Sequence, residues 1–368
     1  MNSRVNYKMP HAVVIRHGDL MLAYLASDFK KFCKLIDEGA DINCPDVFGD
    51  PLIDAVIQNF DKIPDNKKFF DKLLSSGASL KGGHYGYDAL TLSILRQDDI
   101  YYMKKILDAG ANINIKGYAI DNDHVVRYGP PIFESLIKFN SSKIKLLLEY
   151  NPDLTLCNIE GNTILISLFE VFKYRNDILS ECLPFFIEKG APLEDSNDCG
   201  SRLIHYWANY SGDPDILKLL IKNKIDINIR DFAGFTPLMT CIKRFKTAGT
   251  LALIENGANL DIKNFDGQTA AMIAANFHSF DILNLIKSKC NIYTLDNAGK
   301  NIGYYVFNSP LWNHDGCDIE GSAKFFNNNP KLFSSKNKDN LDLIKALKNY
   351  DEKKFLRFMN LTRKQNHL

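Results

Sequence analysis

Pairs of adjacent apolar residues recur along the chain, each followed by two arbitrary residues and then a turn residue. Leu35-Ile36 leads to Gly39, Leu73-Leu74 to Gly77, Ile106-Leu107 to Gly110 and Leu147-Leu148 to Asn151. Phe186-Ile187 leads to Gly190, Leu220-Ile221 to Lys224, Leu253-Ile254 to Gly257 and Leu285-Ile286 to Lys289. The pattern occurs eight times, and successive turn residues lie 32 to 41 residues apart. About ten residues after seven of these turns, and nineteen after Gly110, comes another glycine: Gly49, Gly86, Gly129, Gly161, Gly200, Gly234, Gly267 and Gly299. Two punctuation marks held in register over so long a stretch are the signature of a repeat architecture.

Each unit has a physical reading. Apolar residues at helical spacing before the first turn, such as Ile216, Leu217, Leu219, Leu220 and Ile221, describe a short buried helix. Glycine at the turn supplies a left-handed helix stop. An extended segment follows, as in Asp41-Ile42-Asn43, Asp226-Ile227-Asn228 and Asn259-Leu260-Asp261. The second glycine closes a hairpin tip. Thr236-Pro237 after it can cap and start the next helix. The predicted unit is therefore hairpin, helix, helix, and a helix pair of this size must stack on its neighbours to bury its apolar face.

These residues resemble the ankyrin repeat family, whose period is about 33 residues with a Thr-Pro-Leu-His signature. The best match is Gly234-Phe235-Thr236-Pro237-Leu238 with Glu255-Asn256-Gly257-Ala258-Asn259-Leu260, and the next best runs from Gly267 to Ala275. The fold class this implies is an all-α ankyrin-repeat solenoid of stacked helix pairs joined by β-hairpin-like loops, covering roughly residues 11–308. Three regions are expected: an N-terminal capping unit over 1–44, with a helix pair from Asp19 to Glu38; a repeat array over 45–310; and a polar loop with a helical cap over 311–368. Seven complete units run between Gly49 and Cys290, with the start of another after Gly299.

The chain departs from the family pattern in several places. Met239 and Met272 replace the signature His, which His205 retains. Gly49-Asp50-Pro51-Leu52 and Gly129-Pro130-Pro131-Ile132 are each one residue short. Extra residues are expected between two helices around Asp61 to Asp65, in an extended hairpin from Gly117 to Tyr128, and in a longer helix-to-helix connection from Tyr174 to Ser180. The first and last read as tolerated drift, because lengthening a surface loop costs little; the hairpin is a candidate contact. Trp207 falls where the family has a small Ala and reads as core filling. Ile302 to Phe307 should form a helix, 309–340 read as polar loop with Asn327-Asn328-Asn329-Pro330 as breaker, and Leu341, Ile344, Leu347, Phe355, Leu356, Phe358 and Met359 suggest two short amphipathic helices.

Composition narrows the functional classes. At 368 residues the chain exceeds the roughly 250–300 at which a single compact core stops growing, which suits stacked units. Its formal net charge of +1 gives no general attraction for nucleic acid or membrane, and no nucleic-acid partner is expected. Neither a signal peptide nor a transmembrane run is evident. The eight cysteines, at 33, 44, 157, 182, 199, 241, 290 and 317, lack the spacing of a redox or zinc motif, which fits a reducing, cytoplasmic compartment. From Lys324 to Leu368 the charge is +7, leaving −6 for the rest. A solvated helix surface accounts for this; an anionic partner at this basic region is the lesser alternative.

No catalytic constellation emerges. His314 and Cys317 beside Asp315 and Asp318, and Asp121, Asp123 and His124, read as polar loops of chance composition. Gly82 to Gly86 is glycine-rich but lacks the Lys-Ser/Thr ending of a phosphate loop. The chain is read as a non-enzyme with no cofactor and no metal.

What the resemblance implies is a monomeric, non-catalytic scaffold or adaptor that binds a protein partner through a concave face of hairpin tips and first helices. The family's variable contacts, transferred to the hairpins at Gly200, Gly234 and Gly267, gather Tyr210, Phe232, Phe235, Arg244, Phe265 and Phe277 as partner-binding candidates. Aromatics and Arg are what interface hot spots favour. The alternative is a secreted host-directed effector, acting in a host cytosol, whose array targets a host protein and whose C-terminal region carries a further activity. The Lys-, Asn- and Ile-rich usage resembles ankyrin proteins of AT-rich intracellular bacteria or large viruses.

Overall fold

The computed structural model describes residues 11–43, 51–59, 62–81, 87–96, 99–121, 124–197, 199–309, 318–329, 332 and 352–363. Gly49, Gly86, the Gly82–Gly86 run, Asp123, the His314–Cys317 group, Leu341, Ile344 and Leu347 lie outside the described residues, as does most of the basic C-terminal stretch. The described helices are, in order, α1 (His11–Leu25), α2 (Phe29–Asp37), α3 (Leu52–Gln58), α4 (Asn66–Ser75), α5 (Ala89–Arg96), α6 (Ile100–Asp108), α7 (Pro131–Ile137) and α8 (Ser141–Glu149). Next come α9 (Ile164–Val171), α10 (Asn176–Glu188), α11 (Leu203–Tyr206, continued as a π-helical turn over Trp207–Ser211), α12 (Pro214–Lys222), α13 (Pro237–Lys243) and α14 (Thr247–Glu255). The last are α15 (Ala270–Asn276), α16 (Phe280–Ile286), α17 (Ile302–Phe307), α18 (Ile319–Asn328) and α19 (Glu352–Arg363). Strands β1 (Gly117–Asp121) and β2 (His124–Tyr128) pair antiparallel, so the extended hairpin expected there is a regular two-stranded ribbon.

The chain forms two compact units: Met1–Val171 with Cys182–Pro192, and Phe172–Glu181 with Leu193–Leu368. Within the first, α3, α5, α7 and α9 pack in succession as a row of first helices, and α2, α4, α6 and α8 as a row of second helices. Within the second, α13, α15 and α17 form the first row, α12 packs on α14, α16 contacts α18, and α18 packs on α19.

First helices sit between two like helices and their own partner, so apolar residues cover nearly their whole circumference. In α15, Ala270 to Ala275 are all buried, and in α9 so are Ile164 to Phe169. Small residues in α15 allow close approach on three sides. Second helices keep one wet face: α12 buries Ile216, Leu217 and Leu220 while Lys218 and Lys222 stay exposed. At one end of the first unit the Asn66 amide joins three elements inside the core. It accepts from the Tyr24 hydroxyl (2.9 Å) and donates to the Val56 carbonyl (2.8 Å) and to the Tyr102 hydroxyl (3.0 Å). Lys143 is 2% exposed, and its ammonium donates to the Ile94 carbonyl (2.8 Å) near the C-terminal end of α5, an orphan acceptor of that helix.

The turns after the second helices behave as the pattern demands. Gly39, Gly77, Gly110, Gly190 and Gly257 have φ between +81° and +87°, and the non-glycine stops Asn151 and Lys224 are also left-handed. Lys289 is not. There α16 ends at Ile286, whose carbonyl accepts from both Lys289 and Cys290. Beyond each turn the Asp-Ile-Asn type tripeptide links repeats. The side chain of Asp226 accepts from the backbone N–H of Asn228 (2.8 Å), and the side chain of Asn228 accepts from Asn259 in the next repeat (2.8 Å). Asn259 then holds Asp261 (2.9 Å), and Asp261 holds Asn291 (3.2 Å). Asn43 to Ser79 and Asn114 to Asp153 make the same inter-repeat bond in the first unit.

Three local expectations need correction. The stretch Tyr174–Ser180 is not a long connection: its extra residues lengthen α10, which starts at Asn176. The helix pair at the N-terminus starts earlier than Asp19, at His11. Within the presumed loop 309–340 lies α18, whose Asp318 cap accepts from Gly321 (2.7 Å) and whose Ile319, Ala323 and Phe326 are buried at helical spacing.

Trp207 is fully buried, as core filling requires, and its indole N–H donates to the Asp213 carbonyl (2.9 Å). One more residue separates His205 from Asp213 than separates Met239 from Lys246. The π turn over Trp207–Ser211 absorbs it and leaves Gly212 (φ +66°) at the left-handed turn between the two helices. His205 ties this repeat to the next. Its Nδ1 accepts from the Arg202 N–H (3.1 Å), which places the ring proton on Nε2, facing the Phe235 carbonyl (3.1 Å). Burial holds the His205 imidazole below its ordinary 6.5, and burial does the same to His278, whose Nε2 faces the Val306 carbonyl.

Two outcomes follow from this geometry. Asn228→Ala removes the acceptor for Asn259 and should lower stability by about 1 kcal/mol, read from urea unfolding; an unchanged midpoint would discount the inter-repeat link. The folded state keeps His205 and His278 neutral where the unfolded chain takes up protons, so the stability present above pH 6.5 declines as pH falls below it toward the depressed folded values. Thermal midpoints across that window should show this slope, and His205→Gln should flatten it while costing stability at neutral pH.

Candidate partner-binding face

The hairpin tips of the second unit are built by one device. The Asp231 carboxylate accepts from the N–H groups of Ala233 (2.9 Å) and Phe235 (2.8 Å), folding the chain back over Gly234 at φ +80°. Asn197 does the same at Gly200 and Asp296 at Gly299, and at Gly267 the Asn264 side chain accepts from the Gln268 N–H (2.8 Å). Consecutive tips then bond through their backbones: Phe232 N–H to Cys199 carbonyl (3.2 Å), Phe265 to Ala233 (3.3 Å) and Asn297 to Asp266 (3.0 Å). A Cβ at Gly234 would stand 2.5 Å from the Phe265 nitrogen, so glycine there serves both the left-handed turn and the close approach of the next tip.

This construction projects Phe232 and Phe265 outward. The Phe232 ring lies over Gly200, where a Cβ would come within 2.2 Å of it, yet the residue remains 69% exposed. Phe265 is 59% exposed, with the Arg230 guanidinium 5.3 Å from its ring centre. Phe235 differs: it is half-buried behind the tip, with the Lys243 ammonium 4.9 Å from its ring.

Tyr210, Arg244 and Phe277 occupy the ends of the first helices. Tyr210 is half-buried, tilted against Tyr206 and edge-on to Tyr174. Arg244 is exposed, and its Nε donates to the Asn209 side chain of the preceding repeat. Phe277 is half-buried and meets Phe245 edge-to-face at 5.8 Å. The six candidates thus fall at two levels, hairpin tip and helix end, with Phe235 partly withdrawn.

Two exposed rings at the helix-to-helix turns escaped the sequence reading. Tyr174 (71% exposed, φ +71°) and Phe245 (61% exposed, φ +56°) sit in the turns between first and second helices, where Gly212 stands in the intervening repeat. Left-handed backbone at a residue carrying a Cβ costs about 1–2 kcal/mol. An aromatic in place of glycine at that turn was the available signal. Between them lies Lys246, whose ammonium donates to the Tyr210 carbonyl (2.8 Å) and stands 5.4 Å from the Tyr174 ring. Of the cysteines near this face, Cys199 is exposed at the Gly200 tip, while burial pushes the Cys241 thiol far up, and Cys290 up to about 11. Among the described residues no group of three His, Cys, Asp or Glu could hold a metal ion, and no helix is long and apolar enough to cross a membrane.

Comparison with known proteins bears on this architecture. Residues 168–264 and 204–296 match the family model for ankyrin repeats (3 copies). Over 118 residues the chain is 34% identical to neurogenic locus notch homolog protein 1 of Homo sapiens, a stretch that is 31% of this chain and 5% of that protein. Over 150 residues it is 32% identical to protein phosphatase 1 regulatory subunit 12A of Mus musculus, 41% of this chain and 13% of that one. A shorter match, 41% identical over 68 residues, is to the ADP-ribosylation factor GTPase-activating protein AGD2 of Arabidopsis thaliana, and covers 18% of this chain and 9% of that one. The chain therefore spans only a small part of these relatives. Among solved structures, the ankyrin repeat domain of Bcl-3 superposes with a TM-score of 0.50 at 17% identity, covering 60% of this chain and 94% of that one. Residues 168–296 therefore match ankyrin repeats, and hairpin, helix pair and inter-repeat bonding give the chain the fold of an ankyrin-repeat domain.

Proposed function

We propose that this chain is a non-catalytic, monomeric scaffold that binds a protein partner through the hairpin tips and first-helix ends of its second unit. The observation that carries this reading is the pair of phenylalanines, Phe232 and Phe265, on consecutive tips, 69% and 59% exposed although their backbone N–H groups are hydrogen-bonded to the preceding tips. Large rings held out by a rigid support lose little entropy on binding, and aromatic anchors with arginine beside them are the usual carriers of interface energy. Arg230 stands in that relation to Phe265 here. The helix pair α18–α19 serves in this reading as the end of the array, its Phe325, Phe326 and Phe358 closing the apolar face behind α17. One matched relative is by name a regulatory subunit, which favours binding over catalysis.

Replacing Phe232 and Phe265 together by Ala should leave the thermal midpoint nearly unchanged, since both rings are exposed. Each ring should contribute about 2 kcal/mol to partner affinity. Affinity capture from cytosol with quantitative mass spectrometry compares parent and double variant. Retention of every parent partner by a folded variant sinks this surface.

A further inference from the structure

The ribbon β1–β2 is an insertion that closing a repeat does not need. The interval from Gly110 to Gly129 is nineteen residues, where those from Gly190 to Gly200 and from Gly257 to Gly267 are ten. The extra residues do not form an irregular loop. They pair in unbroken register, from Gly117 opposite Tyr128 to Asp121 opposite His124. Five of the ten strand residues, Tyr118, Ile120, Val125, Val126 and Tyr128, are aromatic or β-branched, the types that favour a pleated strand. Both ends of the ribbon are fastened to the array. Ahead of β1, the Asn114 side chain accepts from the Asp153 N–H (2.9 Å), and the Lys116 ammonium donates to the Cys157 carbonyl (3.0 Å). After β2, the Gly129 N–H donates to the carboxylate of the buried Glu134 on α7 (3.1 Å).

The strands are less self-sufficient than their anchors. Among the described residues the ladder holds β1 and β2 alone, so each strand has one side outside it. Along such a side, every second residue turns its N–H and C=O away from the partner strand. A two-stranded ribbon is marginal in water by itself, and a third strand is the ordinary way to complete it. Edges that stay unpaired are commonly blunted with Lys or Pro, and neither occurs in β1 or β2. Their formal charges, Asp121 and Arg127, are one of each sign, so charge selects little here.

We propose that the β1–β2 ribbon is a second docking surface, to which an extended segment of a partner polypeptide adds itself as a third strand. The occupant follows from the edge. Donors and acceptors alternate along it at the spacing of a peptide, and extended backbone is the ligand that matches both. Anchoring at Lys116 and Gly129 holds the edge in place before the segment arrives, which lowers the entropy lost on docking. The surface lies in the first unit and needs neither Phe232 nor Phe265, so it goes beyond the function proposed above.

The test uses the full-length chain, a variant lacking residues 119–127, which restores the ten-residue interval, and random short peptides displayed on phage. The variant should keep its thermal midpoint, because other repeats close the same junction at that length. Peptides selected on the parent should bind the variant about tenfold or more weakly and be rich in β-branched and aromatic residues. Backbone N-methylation of a selected peptide, one residue at a time, is the second readout and leaves the protein untouched. A strand in a ladder should lose about tenfold in affinity at every other residue and little at those between. Should the deletion lower the midpoint, the N-methyl scan decides alone. Replacing Phe232 and Phe265 by Ala should leave this binding unchanged. Peptides that bind the shortened variant as well as the parent, or a scan without a period of two, overturn the proposal. So does a failure to select any peptide. A parent that sediments as a dimer beside a monomeric shortened variant also overturns it, because a second copy then fills the edge. Each of these outcomes leaves the tip surface of the second unit to be judged by its own double variant.

Discussion

The structure depends on the fact that no single repeat can satisfy itself. A pair of short helices leaves one apolar flank open, and the extended segment beyond it leaves backbone N–H groups with no partner of their own. The neighbouring repeat supplies both. In the second unit the relay from Glu194 to Asp226, from Asn228 to Asn259 and from Asp261 to Asn291 passes a side-chain acceptor from each repeat to a backbone donor of the next. The first residue of each tripeptide meanwhile fixes the third within the same turn. Short polar side chains do at the repeat junction what a strand partner does in a sheet.

That dependence explains why so much was readable from residues alone. A repeat that must present the same apolar flank and the same turn many times writes them into the chain at a regular interval. Asn151 and Lys224 could be placed as helix stops without being glycine, and both are left-handed. The relay uses Asp and Asn at the same offsets, so it was visible as a motif before its bonds were. Where the chain departs from the period, the reading weakened for a physical reason. Lys289 looked like a stop, but Ile286 ends its helix earlier by taking two amides on one carbonyl. The surplus residue before Asp213 left no mark in composition, because a π turn hides an insertion inside a helix. Helix α18 was missed because Gly321, Ser322 and a run of asparagines mask its Ile319–Ala323–Phe326 stripe.

The candidate site was legible at one level and not at the other. Hairpin tips follow the family pattern, so Phe232 and Phe265 could be placed as outward rings, whereas Phe235, one step past the glycine, turns partly inward toward Lys243. Tyr174 and Phe245 lie at turns between first and second helices, for which the sequence pattern set no marker, and their exposure shows only in the structure.

The same division separates what holds the protein together from what it can offer a partner. Buried residues of the first helices touch like helices on both sides, so a change there propagates along the stack. Tip and turn residues project from backbone already bonded to its neighbours, through Cys199, Ala233 and Asp266 at the tips and through Lys246 at the turn. At the tips the backbone makes these bonds, whereas at the turn the Lys246 side chain makes one itself. Exposed rings still lean on a neighbouring repeat, as Phe232 does over Gly200 and Phe245 against Phe277, so the stack itself orients what it presents outward.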